Sequence, residues 1–300
     1  MRKMNKRVLE ALIKAGAFDK IGPHRASIME SLASATHQAE QSLRDQTLGQ
    51  HDLFGMVIQD SPVLKYVDVP EWSEANRLFG EKETLGLYLT GHPIHRFLKE
   101  LKHFTTARLA EIRPQNNHTS TLAGIISGMR VILTKRGDKM AVVSLEDGSG
   151  QIDVLCFSET YNLYRELLVK DQLIIVDGEV SIDEFSGGFR VMCREVFSIE
   201  QARERHAKYL RISMPQYKAE EIEKLAGVLT KYRGGRCHVT IDYKSDDASA
   251  NLRLGEAWRI KPTEKLFQDL RESSPETSLS VRFASNNGRN CGAVLFSEIG

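Results

Sequence analysis

At Thr119 the hydrophobic period of this chain changes from that of helices to that of strands, and no other feature limits the possible folds as much. Residues 122–133 are an apolar, β-branched run. Lys135-Arg136-Gly137-Asp138 reads as a hairpin turn, 139–145 as a second strand, and Asp147-Gly148-Ser149-Gly150 as a second turn. A third strand covers 151–157. Ser158 is placed to cap a helix carrying Tyr161, Tyr164, Leu167 and Leu168. A fourth strand at 172–182, a turn at Ser186-Gly187-Gly188 and a fifth strand at 189–199 complete the set. Three strands, a helix and two strands is the element order of an OB-fold barrel.

Upstream the period is helical. Val8, Leu9, Leu12 and Ile13 recur at helical spacing and stop at Gly16. After a turn with two glycines, Ile28, Leu32, Ala35, Ala39 and Leu43 mark one face of a second helix ending near Gly49. Residues 50–72 lose periodicity and carry Pro62 and Pro70, the pattern of a linker. Ser73 can cap a helix running to about Leu89, closed by Gly91 and Pro93, with a short helix over 94–104 after it. Downstream of the barrel, 201–208 reads as a charged connector. Then come a strand at 210–214, a helix at 219–232, strands at 237–243 and 250–254, a helix at 262–273 and a strand at 278–283, a small α+β unit. The tail 286–300 has no clear pattern.

No stretch of about 18 apolar residues occurs, so no membrane span is expected. The basic start lacks the apolar core and cleavage site of a signal peptide, which points to the cytoplasm. Cys156, Cys193, Cys237 and Cys291 are too far apart in sequence for a zinc knuckle, and Cys156 and Cys193 fit buried thiols. No phosphate-binding loop, zinc-protease helix or nucleophile elbow is present, and neither a cofactor nor a metal is expected. His92, beside Gly91 and Pro93, fits a packing residue, and the acidic pairs 183–184 and 246–247 fit solvated turns. The net charge of +1 hides local differences. Residues 1–30 hold seven basic residues against three acidic, 119–200 hold eight against thirteen, and 201–300 hold seventeen against thirteen. Contact with nucleic acid must therefore come from local clusters of cations.

Three clusters stand out. The turn between the first two helices offers Gly16 and Gly22, with Lys20 and Arg25 adding charge. A helix-hairpin-helix turn presents such backbone N–H groups to a duplex phosphate, while a plain helix-helix turn needs the same glycines. Gln50, His51, Asp52, Leu53 and Phe54 form a short peptide whose adjacent Leu53 and Phe54 can fill an apolar pocket on a partner, or pack back onto the helices. In the barrel, Arg130, Lys135, Arg136 and Lys139 lie on and around the first hairpin, with Phe185, Phe189 and Arg190 on the other turn. OB-folds take single strands between these two loops, where cations track the backbone and bases stack on aromatics. A solvated basic hairpin with core aromatics is the competing reading.

Arg7-Val8-Leu9-Glu10-Ala11-Leu12-Ile13, Gly16-Ala17-Phe18-Asp19, Gly22-Pro23-His24-Arg25 and the run 83–93, Glu-Thr-Leu-Gly-Leu-Tyr-Leu-Thr-Gly-His-Pro, are ordered along the chain. With Thr134-Lys135-Arg136-Gly137 and Phe185-Ser186-Gly187-Gly188, they resemble the C-terminal region of bacterial DNA polymerase III alpha subunits across roughly 5–283. The resemblance implies that the polymerase active site lies upstream, so that this chain is itself no enzyme. It implies that residues 16–25 close a helix-hairpin-helix module on primer-template DNA. It also implies that 50–54 bind the beta sliding clamp, with Leu53 where the family commonly has Met. The OB-fold would contact the single-stranded template, and the last domain would dock the tau subunit of the clamp loader. The tail from about Ser285 does not match the family's pattern.

The expectation is a multidomain α+β chain. It comprises a helical segment at 1–49, the clamp peptide with linker and short helices at 50–118, a five-stranded OB-fold at 119–200, a C-terminal α+β domain at 201–284 and an unassigned tail at 285–300. An OB-fold of the tRNA-binding kind and a protein-only scaffold remain alternatives. About 100 residues after the barrel are too few for a synthetase catalytic domain.

Overall fold

The computed structural model describes residues 5–47, 65–113, 119–134, 137–183, 187–213, 219–244, 249–274, 277–284 and 293–295, with backbone alone at 45–47, 219, 244 and 293–295. The chain forms two compact units, Met1–Pro93 and Ile94–Gly300.

The first unit is helical, with α1 (Lys6–Lys14), α2 (Arg25–Thr47) and α3 (Glu74–Leu85). The Asn5 side chain accepts from the Arg7 amide to start α1. Gly16, at φ +80°, ends it: the amides of Gly16 and Ala17 reach back to the carbonyls of Ile13 and Leu12, a Schellman closure. The stripe expected on α2 is buried only at its start. Leu32 is buried, whereas Ala39 and Leu43 are exposed, so residues 37–44 contribute no core. Ser73 caps α3 as expected, but the helix stops at Gly86 (φ +76°) rather than running to Leu89. The reason lies downstream, where the amides of Leu89 and Thr90 both turn back to donate to the Glu81 carboxylate, at 2.7 and 2.9 Å.

The second unit, from Ile94, opens within the 3-10 turn Pro93–Phe97, which runs into α4 (Leu98–Phe104), the two together covering the short helix read from the sequence. A closed barrel follows, formed by β1 (Thr119–Leu133), β2 (Lys139–Glu146), β3 (Gln151–Cys156), α5 (Ser158–Tyr164), β4 (Leu173–Ile182) and β5 (Phe189–Ser198), with strand order β1-β2-β3-β5-β4. Every strand is antiparallel to its neighbour except the β3–β5 pair, which closes the barrel in parallel. Ser158 lies inside α5 instead of capping it. The barrel interior is apolar, with Leu122, Val143, Leu145, Val154, Val176 and Val191 fully enclosed, each worth roughly 1.5–3 kcal/mol over exposure. Cys156 and Cys193 sit there as free buried thiols.

Of the residues read as a charged connector, 201–206 belong to helix α6 (Ile199–His206), started by a capping box between Ser198 and Gln201, and 207–208 to the next strand. Its Arg203 is buried against Glu100 and Glu264, so the charge that made the segment look like a linker is packed inside. A mixed sheet follows, built from β6 (Ala207–Ser213), α7 (Ala219–Lys231), β7 (Arg233–Lys244), β8 (Ser249–Arg253), α8 (Glu264–Ser273), β9 (Ser278–Phe283) and β10 (Ala293–Leu295). The strand order is β10-β9-β6-β7-β8, so the tail adds a strand beside β9. One core runs through Phe97, Leu101 and Phe104 of α4 and its entry, Ala123, Ile125 and Ile175 of the barrel, and Leu210, Phe267 and Phe283 beyond it. Barrel and mixed sheet are thus continuous across residue 200.

Candidate nucleic-acid interface

The barrel's outer side is set by the two-residue alternation of its strands. Since Val143, Val154 and Val191 point inward, Arg130, Ser144, Asp153, Arg190 and Met192 lie on the outer side of β1, β2, β3 and β5. Asp153 is directly opposite Arg190 in the β3–β5 register. Nη2 of Arg130 lies 3.4 Å from the Asp153 Oδ2, and the Ser144 hydroxyl donates to Asp153 Oδ1 at 2.6 Å. Arg190 donates to Asp183 Oδ1 at 3.3 Å and to Ser181 Oγ at 3.4 Å, which ties it to the base of its turn. Two arginines, each paired with its own carboxylate, therefore stand on one open four-strand surface. Exposed ion pairs of this length are weak and exchange readily with a phosphate.

The structure separates the remaining barrel candidates. Lys139 and Phe189 are exposed but lie on the opposite side of their strands from Arg130 and Arg190, beyond the last enclosed residues. Lys135, Arg136 and Phe185 lie outside the described residues. Sequence reading missed a further feature. Residues 122–126 of β1 are buried, but Met129, Val131, Ile132 and Leu133 are 43–69% exposed. The apolar run that looked like continuous core is half core and half solvent-facing arm. Met192 is also open, at 38%. Apolar surface rimmed by cations marks an interaction surface. The one local signal was Arg130 in the middle of the run.

In the first unit the helix-helix turn is occupied by its own contacts. The amides of Gly16 and Gly22 donate to the carbonyls of Ile13 and Phe18, both at 3.0 Å. Arg25 is buried, donating to Asp19, to Glu81 and to the Lys14 carbonyl. A side chain at position 16 would collide with that guanidinium, so Gly16 makes room for Arg25. Of the four residues expected to meet a duplex phosphate, only Lys20 is an exposed cation. A cleft of about 320 Å³ opens beside the turn, lined among others by Pro23, His24, Trp72 and Arg77. The peptide Gln50, His51, Asp52, Leu53 and Phe54 lies outside the described residues. Among the described residues, no helix is long and apolar enough to cross a membrane.

Residues 120–199 match the family model of the OB-fold nucleic acid binding domain, and 224–273 match that of the DNA polymerase III subunit alpha C-terminal domain. The DNA polymerase III subunit alpha of Vibrio cholerae is 42% identical over 289 residues, which cover 94% of this chain and 25% of that protein. Its Escherichia coli K12 counterpart is 41% identical over 276 residues, 90% of this chain and 24% of that protein. The chain thus spans about a quarter of the length of these relatives. Among solved structures, the second OB-fold domain of replication protein A from Methanococcus maripaludis aligns with 31% of this chain and 96% of its own. Its identity is 19% and its TM-score 0.25.

Proposed function

We propose, for a chain that matches the C-terminal region of DNA polymerase III alpha subunits along nine-tenths of its length, that the barrel binds single-stranded DNA on its outer β1-β2-β3-β5 side. The observation that carries this is Arg130 paired with Asp153 and Arg190 paired with Asp183 on one open face, with exposed Ile132 and Met192 on the same side. A passing phosphate replaces these carboxylates as their partners, and apolar side chains take the base faces. Lys135 and Arg136, which follow β1 in the sequence, are the further cations this reading assigns to the DNA strand.

The test is fluorescence anisotropy of the whole chain with oligodeoxythymidine across a salt series. Arg130→Glu with Arg190→Glu should weaken binding and flatten the salt slope by about 1.4, at roughly 0.7 per single-strand phosphate contact. Lys135→Glu with Arg136→Glu should act the same way. If neither pair changes affinity or slope, the barrel surface serves protein contacts alone.

The remaining roles belong to the same reading. Gln50, His51, Asp52, Leu53 and Phe54 dock on the beta sliding clamp through the Leu53–Phe54 pair. Residues 201–284 dock the tau subunit. Lys20 faces duplex primer-template. Polymerisation itself is carried by parts of the relatives that this chain does not match. Support for the clamp role is the apolar pair in a polar peptide, together with the match to the polymerase subunit. Calorimetry with beta clamp should show binding that Leu53→Ala with Phe54→Ala abolishes, and equal affinity of the double variant would remove this role.

A further inference from the structure

The mixed sheet has two faces of opposite character. Helices α7 and α8 cover one, where Leu210, Val239, Val281 and Phe283 are buried with Leu225, Leu229 and Phe267. By strand alternation the other face carries Tyr209 and Arg211 on β6, Arg236 and His238 on β7, Arg253 on β8 and Arg282 on β9. Register puts Arg282, Tyr209 and His238 in one row across three strands, with Arg253 one row along on the fourth. Arg236, Arg253 and Arg282 are exposed.

The face is cationic with an aromatic centre. Among the described residues of these strands, its carboxylate is Asp242, bonded to Arg211, Ser213 and Asn251. Arg236 and Arg282 form no ion pair with the described residues. The rings of Tyr209 and His238 stack with centroids 5.6 Å apart and planes 26° apart. The Arg253 guanidinium lies 5.4 Å over the Tyr209 ring, with its Nη2 3.0 Å from His238 Nε2. Four strands at roughly 4.8 Å spacing make a platform about 15 Å wide.

We propose that this open sheet face is a second single-strand nucleic-acid surface, distinct from the barrel, holding phosphates on Arg236, Arg253 and Arg282 and a base against the Tyr209–His238 pair. Open sheets use this combination, with stacking on central aromatics and charge at the periphery. An acidic peptide would need the charges alone, and the stacked rings at the centre favour a nucleobase.

The experiment is ultraviolet cross-linking of the whole chain to oligodeoxythymidine and, in parallel, to oligouridine, with mapping of the linked peptides and anisotropy across salt. Cross-links are expected in 207–213 or 233–244 as well as in the barrel, and the stronger polymer identifies the preferred sugar. Arg236→Ala with Arg282→Ala should remove the sheet cross-links, keep those in 119–198, and flatten the salt slope by about 1.4. These side chains are exposed, so circular dichroism should be unchanged. Tyr209→Ala should lower affinity several-fold and Tyr209→Phe should restore it. Cross-links confined to the barrel, with an unchanged slope in the double arginine variant, overturn the proposal. So does equal competition by polyglutamate together with indifference to Tyr209→Ala, which identifies an acidic protein partner. Sheet cross-links without barrel ones would support this surface and remove the barrel reading.

Discussion

Arg25 in the first unit and Arg203 in the second share one composition: an arginine between a buried glutamate and a half-exposed carboxylate. Arg25 meets Glu81 at 2.9 Å and Asp19 at 2.7 Å, while Arg203 meets Glu100 and Glu264, both at 2.7 Å. The glutamates nevertheless respond in opposite directions. Burial alone would raise the pKa of Glu81, but the amides of Thr90 and Leu89, the Thr90 hydroxyl and Arg25 together outweigh it and hold it below the ordinary value. Burial raises Glu100 above its ordinary value, and the hydrogen bonds and charge of Arg203 offset this only in part. Backbone donors make the difference. A buried carboxylate that collects amides is held as an anion more firmly than one that depends on a single side chain.

The two tryptophans, Trp72 and Trp258, fall one in each unit, so chains keeping only one of them report each unit's unfolding in urea. The largest effect is expected from Arg203→Ala. It strands Glu100 without its donor and should cost about 3–5 kcal/mol in the Trp258 transition. Arg25→Ala should cost less, about 1.5–3 kcal/mol in the Trp72 transition, because Glu81 keeps three other donors. Equal losses would break the comparison.

Acidity separates the pair further. Glu81, with its folded pKa depressed, contributes stability that is present above the ordinary value of 4.5 and fades as pH falls through the folded value. Glu100, with its folded pKa raised, contributes stability below 4.5 that is lost as pH rises through the folded value. Between about pH 3 and pH 7, Glu81→Gln should therefore become more damaging relative to wild type as pH rises, and Glu100→Gln less so. Slopes of the same sign in the two urea series would refute the difference. The smallest effect is Gly86→Ala. Nothing crowds that position, so the cost is the left-handed backbone alone, about 1–2 kcal/mol. A larger loss would mean that the turn also sets the approach of the 89–90 amides to Glu81.

Much of the fold was legible locally. The five barrel strands, the turn at 147–150 and the Ser73 cap follow from alternation and capping chemistry carried within a few residues. Helix α6 was not legible, because a segment rich in Arg and Glu looks solvated until Glu100, about a hundred residues earlier, is found against Arg203. Nor was the end of α3, whose stop depends on amides that return to Glu81 after the chain has turned. In the candidate interface, Arg130 and Arg190 were identifiable as cations of the first and fifth strands. That they share one outer face, with Asp153 opposite Arg190, needed the parallel β3–β5 pairing that closes the barrel.

By itself the sequence determined most of the strands and helices, α6 and β10 excepted, because side-chain periodicity and turn chemistry act over short range. It also determined where cations and apolar anchors stand along the chain. Tertiary structure decided which of these are available. It buried Arg25 and Arg203 among carboxylates, left residues 129–133 of an apolar run in solvent, and opened one face of the mixed sheet around Tyr209. Burial depends on what another element places opposite a side chain, and that partner is set by strand pairing and packing across distances that local pattern does not carry.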